Sequence, residues 1–347
     1  MRILILNRVE APAPGATGRL VAELSAHLRD SGHTVQTITS GKMPPRTLLY
    51  LLSWLTIGIR AMFATRADRV IVMTDPPMLG VWIPFLKLRH QKVIYWCQDL
   101  YPDLLPMIGI KLPAAIQSNL FHLKRWTIKY ADRTIVLGRC MVEKIAPYQV
   151  KNIAVIPNWT EQDQHAPSSL SDELTILYAG NLGRVHPVDA IGDAIATCAR
   201  LPVKFILMIG GQNAAALRKR IGGQNNVTFL PPQPWYKAKQ IQDSAHVHLV
   251  ALRPEATGLA VPVKHYAAAR AGRPVIFIGD PNSEIARHII EHQCGTIIAP
   301  YQPEQFAEAV QSYLDKAHWR SHADAARRAH ESARNSLAAV AETVLAA

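Results

Sequence analysis

Two cationic side chains stand beside glycine-containing loops in the second half of the sequence. Lys264 lies in GLAVPVKHY and Arg184 lies in YAGNLGR, and each stretch follows a short apolar run that predicts a strand. The first amides of a helix have no partners inside it and lie at the positive end of its dipole, so they bind anions. A helix is expected to open at Val261–Pro262. Lys264 and Arg184 would then close over a diphosphate as paired cations.

Further residues of these loops are candidates for contact with the same ligand. A phosphate would lie on the amides that precede the lysine, namely Gly258, Leu259, Ala260 and Val261. On the other loop, Gly180 flanks Asn181 and would let a ligand approach the backbone.

The first half offers one acidic candidate and one loop of small residues. Asp99, in YWCQDLYP, follows a predicted strand, where a carboxylate could contact a substrate hydroxyl or cap the following turn. The loop Gly15, Ala16, Thr17 and Gly18 precedes a predicted helix. It is too long and too rich in proline for a dinucleotide fingerprint. It either lets a phosphate or sugar approach the backbone or simply begins a helix.

The sequence lacks the usual signatures of metal-assisted chemistry and of acyl transfer. The histidines show no metal-ligand spacing, no D-x-D pair is present, and the G-x-S-x-G signature of hydrolases is missing. The cysteines are far apart in apolar surroundings, which is typical of buried free thiols: Cys97, Cys140, Cys198 and Cys294. The sequence opens on a predicted strand without a signal peptide, so we expect a cytoplasmic protein.

Short apolar runs alternate with longer helical patterns along the chain, which predicts parallel sheets with crossover helices. The alternation stops over the polar stretch EQDQHAPSSLSDE and then resumes. The sequence therefore predicts an α/β protein of two doubly wound domains, 1–165 and 166–325. A helical tail, 326–347, would follow and could pack back on the first domain. Ligands would bind beyond the carboxyl ends of the strands, in a cleft where the two sheets face each other.

The basic residues are concentrated in the first half. Residues 1–165 contain 20 Lys and Arg against 11 Asp and Glu, whereas the remainder contains 18 against 15. Such an excess accompanies phosphates, nucleic acid or an anionic membrane, and it also occurs on surfaces without a special partner.

The apolar segment 47–63 is short and interrupted by a charge, which favours a helix packed on a sheet over a membrane span. Peripheral membrane contact stays open. The side chains that would make it are Arg46, Tyr50, Trp54, Arg60 and Arg66.

Several stretches, in order, resemble the family 4 glycosyltransferases of GT-B fold, in the bacterial branch that builds surface polysaccharides. In the first half they are GATGR, TDPPMLG, QDLYPD, ADRTIVLGRCMVEKI and VIPNW. In the second half they are YAGNLGR, FLPPQP, GLAVPVKHY and AGRPVIFIGDPNSE. The resemblance covers nearly the whole chain.

The resemblance implies a retaining hexosyltransferase that needs neither cofactor nor metal, because its cations neutralise the departing diphosphate. The donor would be a nucleotide diphosphate sugar, held by Arg184 and Lys264, with Pro232 and Gln233 beside the base. The first domain would present a lipid-linked or growing polysaccharide acceptor, with Gly18 facing the donor and Asp99 positioning the acceptor. No nucleic-acid partner is expected.

Three positions depart from the family pattern. Thr257 and Ala267 stand where many members carry the two glutamates of E-x7-E, with Glu255 displaced by two residues as the nearest acidic candidate. Gln98 stands where the family usually has histidine. Two alternatives therefore stay open, namely a non-catalytic nucleotide-sugar-binding partner and a sugar epimerase of the same fold.

Overall fold

The computed structural model describes residues 1–10, 16–40, 48–107, 109–150, 152–160, 173–299, 302–333 and 335–347. The chain forms two compact units. The first comprises Met1–Trp159, Gly258–Val261 and Asn335–Ala347, and the second comprises Thr160–Thr257 and Pro262–Arg334. The predicted boundary at residue 165 lies outside the described residues. The predicted boundary at residue 325 falls within a helix, and the chain returns to the first unit at Asn335.

Six parallel strands form the sheet of the first unit. They are β1 Arg2–Leu6, β2 Thr34–Ile38, β3 Arg69–Met73, β4 Lys92–Cys97, β5 Arg133–Val136 and β6 Ile153–Val155. Their order is β2-β1-β3-β4-β5-β6, so the direction of winding reverses between β1 and β3. Loops at the carboxyl ends of strands on either side of such a reversal diverge and leave a crevice for ligands.

The second unit repeats this plan. Its strands are β7 Leu174–Asn181, β8 Val203–Gly210, β9 Val227–Leu230, β10 Val247–Ala251, β11 Val275–Ile278 and β12 Gly295–Ile298. The order β12-β11-β10-β7-β8-β9 places the reversal between β7 and β10. The two doubly wound parallel sheets predicted from the alternating apolar runs are thus confirmed.

Thirteen α-helices accompany the sheets in the described residues. In the first unit they are α1 Ala16–Asp30, α2 Leu48–Phe63, α3 Ile83–Leu88, α4 Ala114–Tyr130, α5 Arg139–Ile145 and, at the end of the chain, α13 Ser336–Leu345. In the second they are α6 Val188–Thr197, α7 Ala214–Ile221, α8 Trp235–Ser244, α9 Lys264–Arg270, α10 Glu284–His292, α11 Pro303–Ser312 and α12 Lys316–Ala333.

Each unit has its own apolar core because strands buried on both faces contribute continuous runs of Val, Ile and Leu. In the first unit, Trp96 of β4 stacks on Trp159 with ring centroids 5.6 Å apart. Helix α13 packs on α1 and β3, and its Val340 and Val344 are fully buried in this core. In the second unit, Phe205 of β8 stacks on Phe306 of α11. These cores fix the strand ends from which the candidate sites are built.

Candidate functional site

A cleft of about 450 Å³ opens in the second unit at the carboxyl ends of β7 and β8. It is lined by Ala179, Gly180, Asn181, Met208, Gly210, Gly211, Pro232, Gln233, Ala238, Gln242, Val263, Lys264 and Ala267. Five residues predicted to bind the donor, in three separate stretches of sequence, therefore meet in one cleft: Gly180, Asn181, Pro232, Gln233 and Lys264.

Two glycines shape the floor of this cleft. Gly180 and Gly211 have φ angles of 122° and 94°, in the region that L side chains rarely adopt. A Cβ on Gly180 would lie 3.0 Å from Cε of Lys264, and a Cβ on Gly211 would overlap Oδ1 of Asn181. Glycine at these positions lets the lysine stem and the asparagine lie directly against the backbone. The significance of Gly210 and Gly211 was missed in the sequence.

Lys264 is the first residue of α9, and its half-buried side chain points back to the end of β7. Its Nζ donates to Oη of Tyr178 at 2.8 Å and to the backbone oxygen of Asn181 at 3.4 Å. The same ammonium lies 4.1 Å from the centre of the Tyr178 ring. Burial lowers the pKa of Lys264 to about 7. An anion bound nearby would raise this pKa again, because negative charge favours the protonated form of the lysine.

His186 is a third partner of Lys264, and sequence patterns gave no signal for it. Its side chain is only 6% exposed, and its Nδ1 lies 2.7 Å from the backbone oxygen of Ala251. Since a carbonyl only accepts, Nδ1 carries the proton, which leaves the lone pair of Nε2 facing Nζ of Lys264 at 3.5 Å. Burial, and secondarily the charge of Lys264, lower the pKa of His186 to about 3. The imidazole is therefore neutral.

All these partners of Lys264 are neutral acceptors. The hydroxyl of Tyr178 stays protonated because burial raises its pKa above the usual value. The histidine is uncharged, and the third partner is a peptide oxygen. These contacts orient the ammonium but supply no negative charge to pair with it. Its positive charge is therefore available to a ligand in the cleft.

The start of α9 differs from the prediction. The helix was expected to open at Val261–Pro262, but it begins at Lys264. The preceding backbone is engaged elsewhere, because Ala260 forms an antiparallel bridge with Asp99 and the Leu259 oxygen accepts from the Leu100 amide at 2.8 Å. The predicted phosphate-binding segment Gly258–Val261 thus clusters with the first unit.

Arg184 and Glu255 are placed differently from Lys264. Arg184 is exposed in a turn that is closed by a hydrogen bond from the His186 amide to the Gly183 oxygen. Its side chain is not part of the cleft lining. Glu255 is exposed in a single 3₁₀ turn, Pro254–Ala256. The predicted pairing of Arg184 with Lys264 stays a prediction.

The far side of the cleft is built by the residues after β9. Pro232 and Gln233 line it, and Nε2 of Gln233 donates to the backbone oxygen of Pro231 at 3.0 Å. A Cβ on Gly210 would lie 2.7 Å from Cγ of Pro232, so glycine is needed for this close approach. The amide oxygen of Gln233 and the apolar ring of Pro232 provide surfaces suited to a planar base.

The first unit has polar residues at its own reversal point. Nε of Arg8, after β1, lies 2.8 Å from a carboxylate oxygen of Asp75, after β3. The hydroxyl of Thr17, in the first turn of α1, donates to Asp75 at 3.3 Å. Gly18 is buried in the same turn. Ala16 begins the helix, and Gly15 lies outside the described residues.

Asp99 follows β4 at the same edge of this sheet. Burial, and secondarily the charge of Asp75, raise the pKa of its carboxyl to about 6. Its backbone amide and that of Gln98 both donate to Oγ1 of Thr74, at 3.2 and 3.0 Å. At neutral pH the Asp99 carboxylate is therefore largely ionised and can accept a hydrogen bond from a hydroxyl.

Gln98 is committed to a structural contact. It is buried, and its side-chain amide exchanges two hydrogen bonds with Asn158, of 3.2 and 2.7 Å. This mutual pairing satisfies one donor and one acceptor on each amide. It explains how glutamine is accommodated where the family usually has histidine, and it ties β4 to the end of the first unit.

The described residues contain no group of three or more His, Cys, Asp or Glu side chains arranged to hold a metal ion. The four cysteines are free and buried. Among the described helices, none has the length and apolar character needed to cross a membrane.

A family model and a relative that match this chain are both described as glycosyltransferases. Residues 173–316 match the model of the family described as Glycosyl transferases group 1. The chain is 24% identical over 265 residues to Probable glycosyltransferase WbjE from Pseudomonas aeruginosa, covering 71% of this chain and 66% of WbjE. That alignment spans slightly less than two thirds of the relative.

Two solved structures show the same architecture over the full length. WaaG, a glycosyltransferase involved in lipopolysaccharide biosynthesis, superposes with a TM-score of 0.72 at 18% identity, covering 99% of this chain and 100% of WaaG. Alr3699/HepE from Anabaena, determined in complex with UDP, gives a TM-score of 0.71 at 14% identity and covers all of both chains.

Two six-stranded parallel sheets with flanking helices, in this order along one chain, define a protein of GT-B fold. The resemblance and fold class predicted from the sequence are confirmed. More particularly, residues 173–316 of this fold match the model of the group 1 glycosyl transferases, and the lysine-bearing cleft lies within the matched residues.

Proposed function

We propose that this protein is a retaining hexosyltransferase that uses a nucleotide diphosphate sugar as donor. The acceptor is a lipid-linked or growing polysaccharide, and the reaction takes place in the cytoplasm at the inner face of the membrane. The enzyme requires no metal ion, because protein cations stabilise the leaving diphosphate.

The observation that carries this proposal is the environment of Lys264. Its ammonium lies in a cleft of about 450 Å³, held by three neutral acceptors from the loop after β7 and the strand itself. A diphosphate is the ligand that best matches a desolvated cation with this geometry. The UDP in the complex of HepE, which shares the fold, supports a nucleotide in this role.

The proposed reaction breaks the bond between the anomeric carbon and the diphosphate oxygen, and it forms a bond from that carbon to the acceptor oxygen on the same face. The acceptor proton passes to the departing phosphate oxygen. Lys264 stabilises the charge that grows on the diphosphate, which is worth most in a site shielded from water. Arg184 would add a second cation from its exposed turn.

The first unit would hold the acceptor. We assign Asp99 to positioning an acceptor hydroxyl, since its partly buried carboxylate follows β4 at the carboxyl edge of the sheet. Thr17 and Gly18 would border the same region. The polysaccharide acceptor is suggested by the lipopolysaccharide pathway of WaaG.

Calorimetry with a panel of UDP- and GDP-sugars, paired with an assay for released nucleotide, tests the proposal. We expect one donor to bind and to be turned over when an oligosaccharide or lipid-linked acceptor is added, with no loss of rate in EDTA. Binding without turnover on any acceptor would identify a non-catalytic partner instead. Isomerisation of the free donor, followed by NMR, would identify an epimerase.

A further inference from the structure

Most of the exposed large hydrophobic side chains of the first unit lie on three helices. On α2 they are Leu52, Leu55, Ile59 and Phe63. At 100° per residue these positions fall within an arc of about 80°, so they form one stripe along the helix. Phe63 is 87% exposed. An apolar stripe facing water, rather than the core, indicates a surface that another phase or molecule covers.

Helix α4 carries a second stripe of the same kind. Its exposed large hydrophobic residues are Ile116, Leu123, Trp126 and Tyr130, which also fall within about 80° of arc. The rings of Trp126 and Tyr130 lie 5.8 Å apart. The buried side of α4, which includes Thr127 and Ile128, faces another direction. The stripe is therefore additional to the face that holds the helix on the unit.

Helix α3 packs against both of these helices. It exposes Phe85 and Leu88, the latter by 75%. The Trp82 ring, just before α3, packs against Phe85 and Trp54, with centroids 5.7 and 6.4 Å away. Trp54, one of the side chains that would make the membrane contact left open by the sequence, thus helps to join α2 to α3. The exposed anchors are other residues.

The charge on these helices is of one sign. The sequences of α2, α3 and α4 contain no Asp or Glu. Two of their lysines are used internally, because Lys87 pairs with Asp132 and Lys124 with Asp103. The exposed basic side chains are Arg60, Arg125 and Lys129. Apolar side chains flanked by basic ones, without acidic ones, match a surface of anionic lipid.

We propose that α2, α3 and α4 of the first unit form a docking surface for an anionic phospholipid bilayer. Leu88, Phe63 and Trp126 enter the boundary between headgroups and acyl chains, and Arg60, Arg125 and Lys129 contact lipid phosphates. A second copy of the chain is the weaker occupant, because two such faces would bring like charges together without any carboxylate to pair them. This docking surface rests on the proposed function, which places the acceptor at the membrane. Lipid binding can nevertheless be measured without any turnover.

The test is sedimentation of the full chain with vesicles. Wild-type protein should bind vesicles of equal parts phosphatidylcholine and phosphatidylglycerol and bind pure phosphatidylcholine far less. A variant carrying Phe63→Ser, Leu88→Ser and Trp126→Ser should lose binding about tenfold or more, since each anchor buries a large apolar area. Arg125→Glu with Lys129→Glu should abolish the preference for anionic lipid. Ile290→Ser, at an exposed apolar residue of the second unit, should bind as the wild type does.

Calorimetry with UDP on the triple variant provides the check on folding, and unchanged affinity is expected. Wild-type protein that ignores the anionic vesicles, or a triple variant that binds them as well as wild type, would overturn the docking surface. So would a wild-type dimer that the triple substitution dissociates, since the occupant would then be a second copy. If vesicles bind but no nucleotide sugar does, the proposed function fails while the docking surface stands.

Discussion

The Nζ atom of Lys264 lies 2.8 Å from the hydroxyl oxygen of Tyr178 and 4.1 Å from the centre of the same ring. One aromatic side chain thus supplies both a hydrogen-bond acceptor and a π face to the cation. Neither contact requires a negative charge, and together they hold the ammonium at the carboxyl end of β7. This local arrangement and the burial around it govern the charge of the lysine.

Removing the charge of Lys264 should impair catalysis strongly. Lys264→Met keeps much of the length of the side chain but deletes the cation, so we expect turnover to fall about 10²–10³-fold, the usual cost of losing one stabiliser of developing charge. Nucleotide release under saturating acceptor measures this effect. Lys219→Met, at an exposed lysine of α7, is the matched control and should leave the rate unchanged. Equal rates in both variants would remove Lys264 from the mechanism.

Donor binding should depend on pH through the same side chain. The pKa of Lys264 is lowered to about 7 by burial, and a bound diphosphate will raise it. Binding above pH 7 therefore takes up a proton, and the Kd for UDP should rise by up to about tenfold per pH unit until the pKa of the complex is reached.

Calorimetry in two buffers of different ionisation enthalpy counts that proton directly. At pH 8 the wild-type protein should show uptake on binding UDP, whereas Lys264→Met should show none. Binding by wild type without proton uptake would contradict the lowered pKa.

The floor of the cleft should not tolerate a side chain at Gly211. Its φ is 94°, and a Cβ there would overlap the Asn181 side chain. We expect Gly211→Ala to reduce the free energy of unfolding by about 1–3 kcal/mol and to weaken UDP binding. Gly223→Ala is the control, because a Cβ at Gly223 meets nothing within 4 Å. Thermal melts measure the stability of the two variants, and calorimetry measures their affinity for UDP. Equal stability and affinity in both variants would refute the steric role of Gly211.

The second unit should lose stability in mild acid because it buries neutral histidines, three of which are His186, His248 and His265. Burial lowers the pKa of His186, His248 and His265 to about 3, 4 and 3, from 6.5 in the unfolded chain. Their neutral forms stabilise the fold fully above pH 6.5. That contribution is lost as the pH falls from 6.5 towards the folded values, with a slope of up to about 4 kcal/mol per pH unit for the three together.

Melting of the chain between pH 7.5 and 4.5 measures this slope. His248→Asn should reduce it by the share of one histidine, up to about 1.4 kcal/mol per pH unit, whereas His90→Asn, at an exposed histidine of the first unit, is the matched control. In the first unit Asp99 acts in the opposite sense, since its raised pKa of about 6 favours the folded state as the pH falls towards 3.8. A melting profile of the second unit that is flat across this range would contradict the burial of neutral histidines.

The strands could be predicted from sequence because their signal is local and repeated. Runs such as Val70–Met73 and Val247–Ala251 are short, β-branched and bounded by polar residues, and they become strands with nearly the predicted bounds. Once the sheets are parallel, the loops at their carboxyl ends must share one edge. The common location of Gly180, Asn181 and Lys264 follows from that geometry.

The details of the site depended on contacts that no local pattern encodes. The sequence by itself determined two parallel-sheet domains and a lysine beside a glycine loop, because periodicity and residue type suffice for these. The order of its motifs gave the resemblance to the family 4 glycosyltransferases. Only the tertiary structure decided that α9 starts at Lys264, since the preceding backbone pairs with Asp99 and Leu100. It also decided that neutral His186 and Tyr178, rather than a carboxylate, hold the lysine. Burial and the hydrogen bond to Ala251 fix the charge and tautomer of that histidine, and both arise from residues distant in sequence.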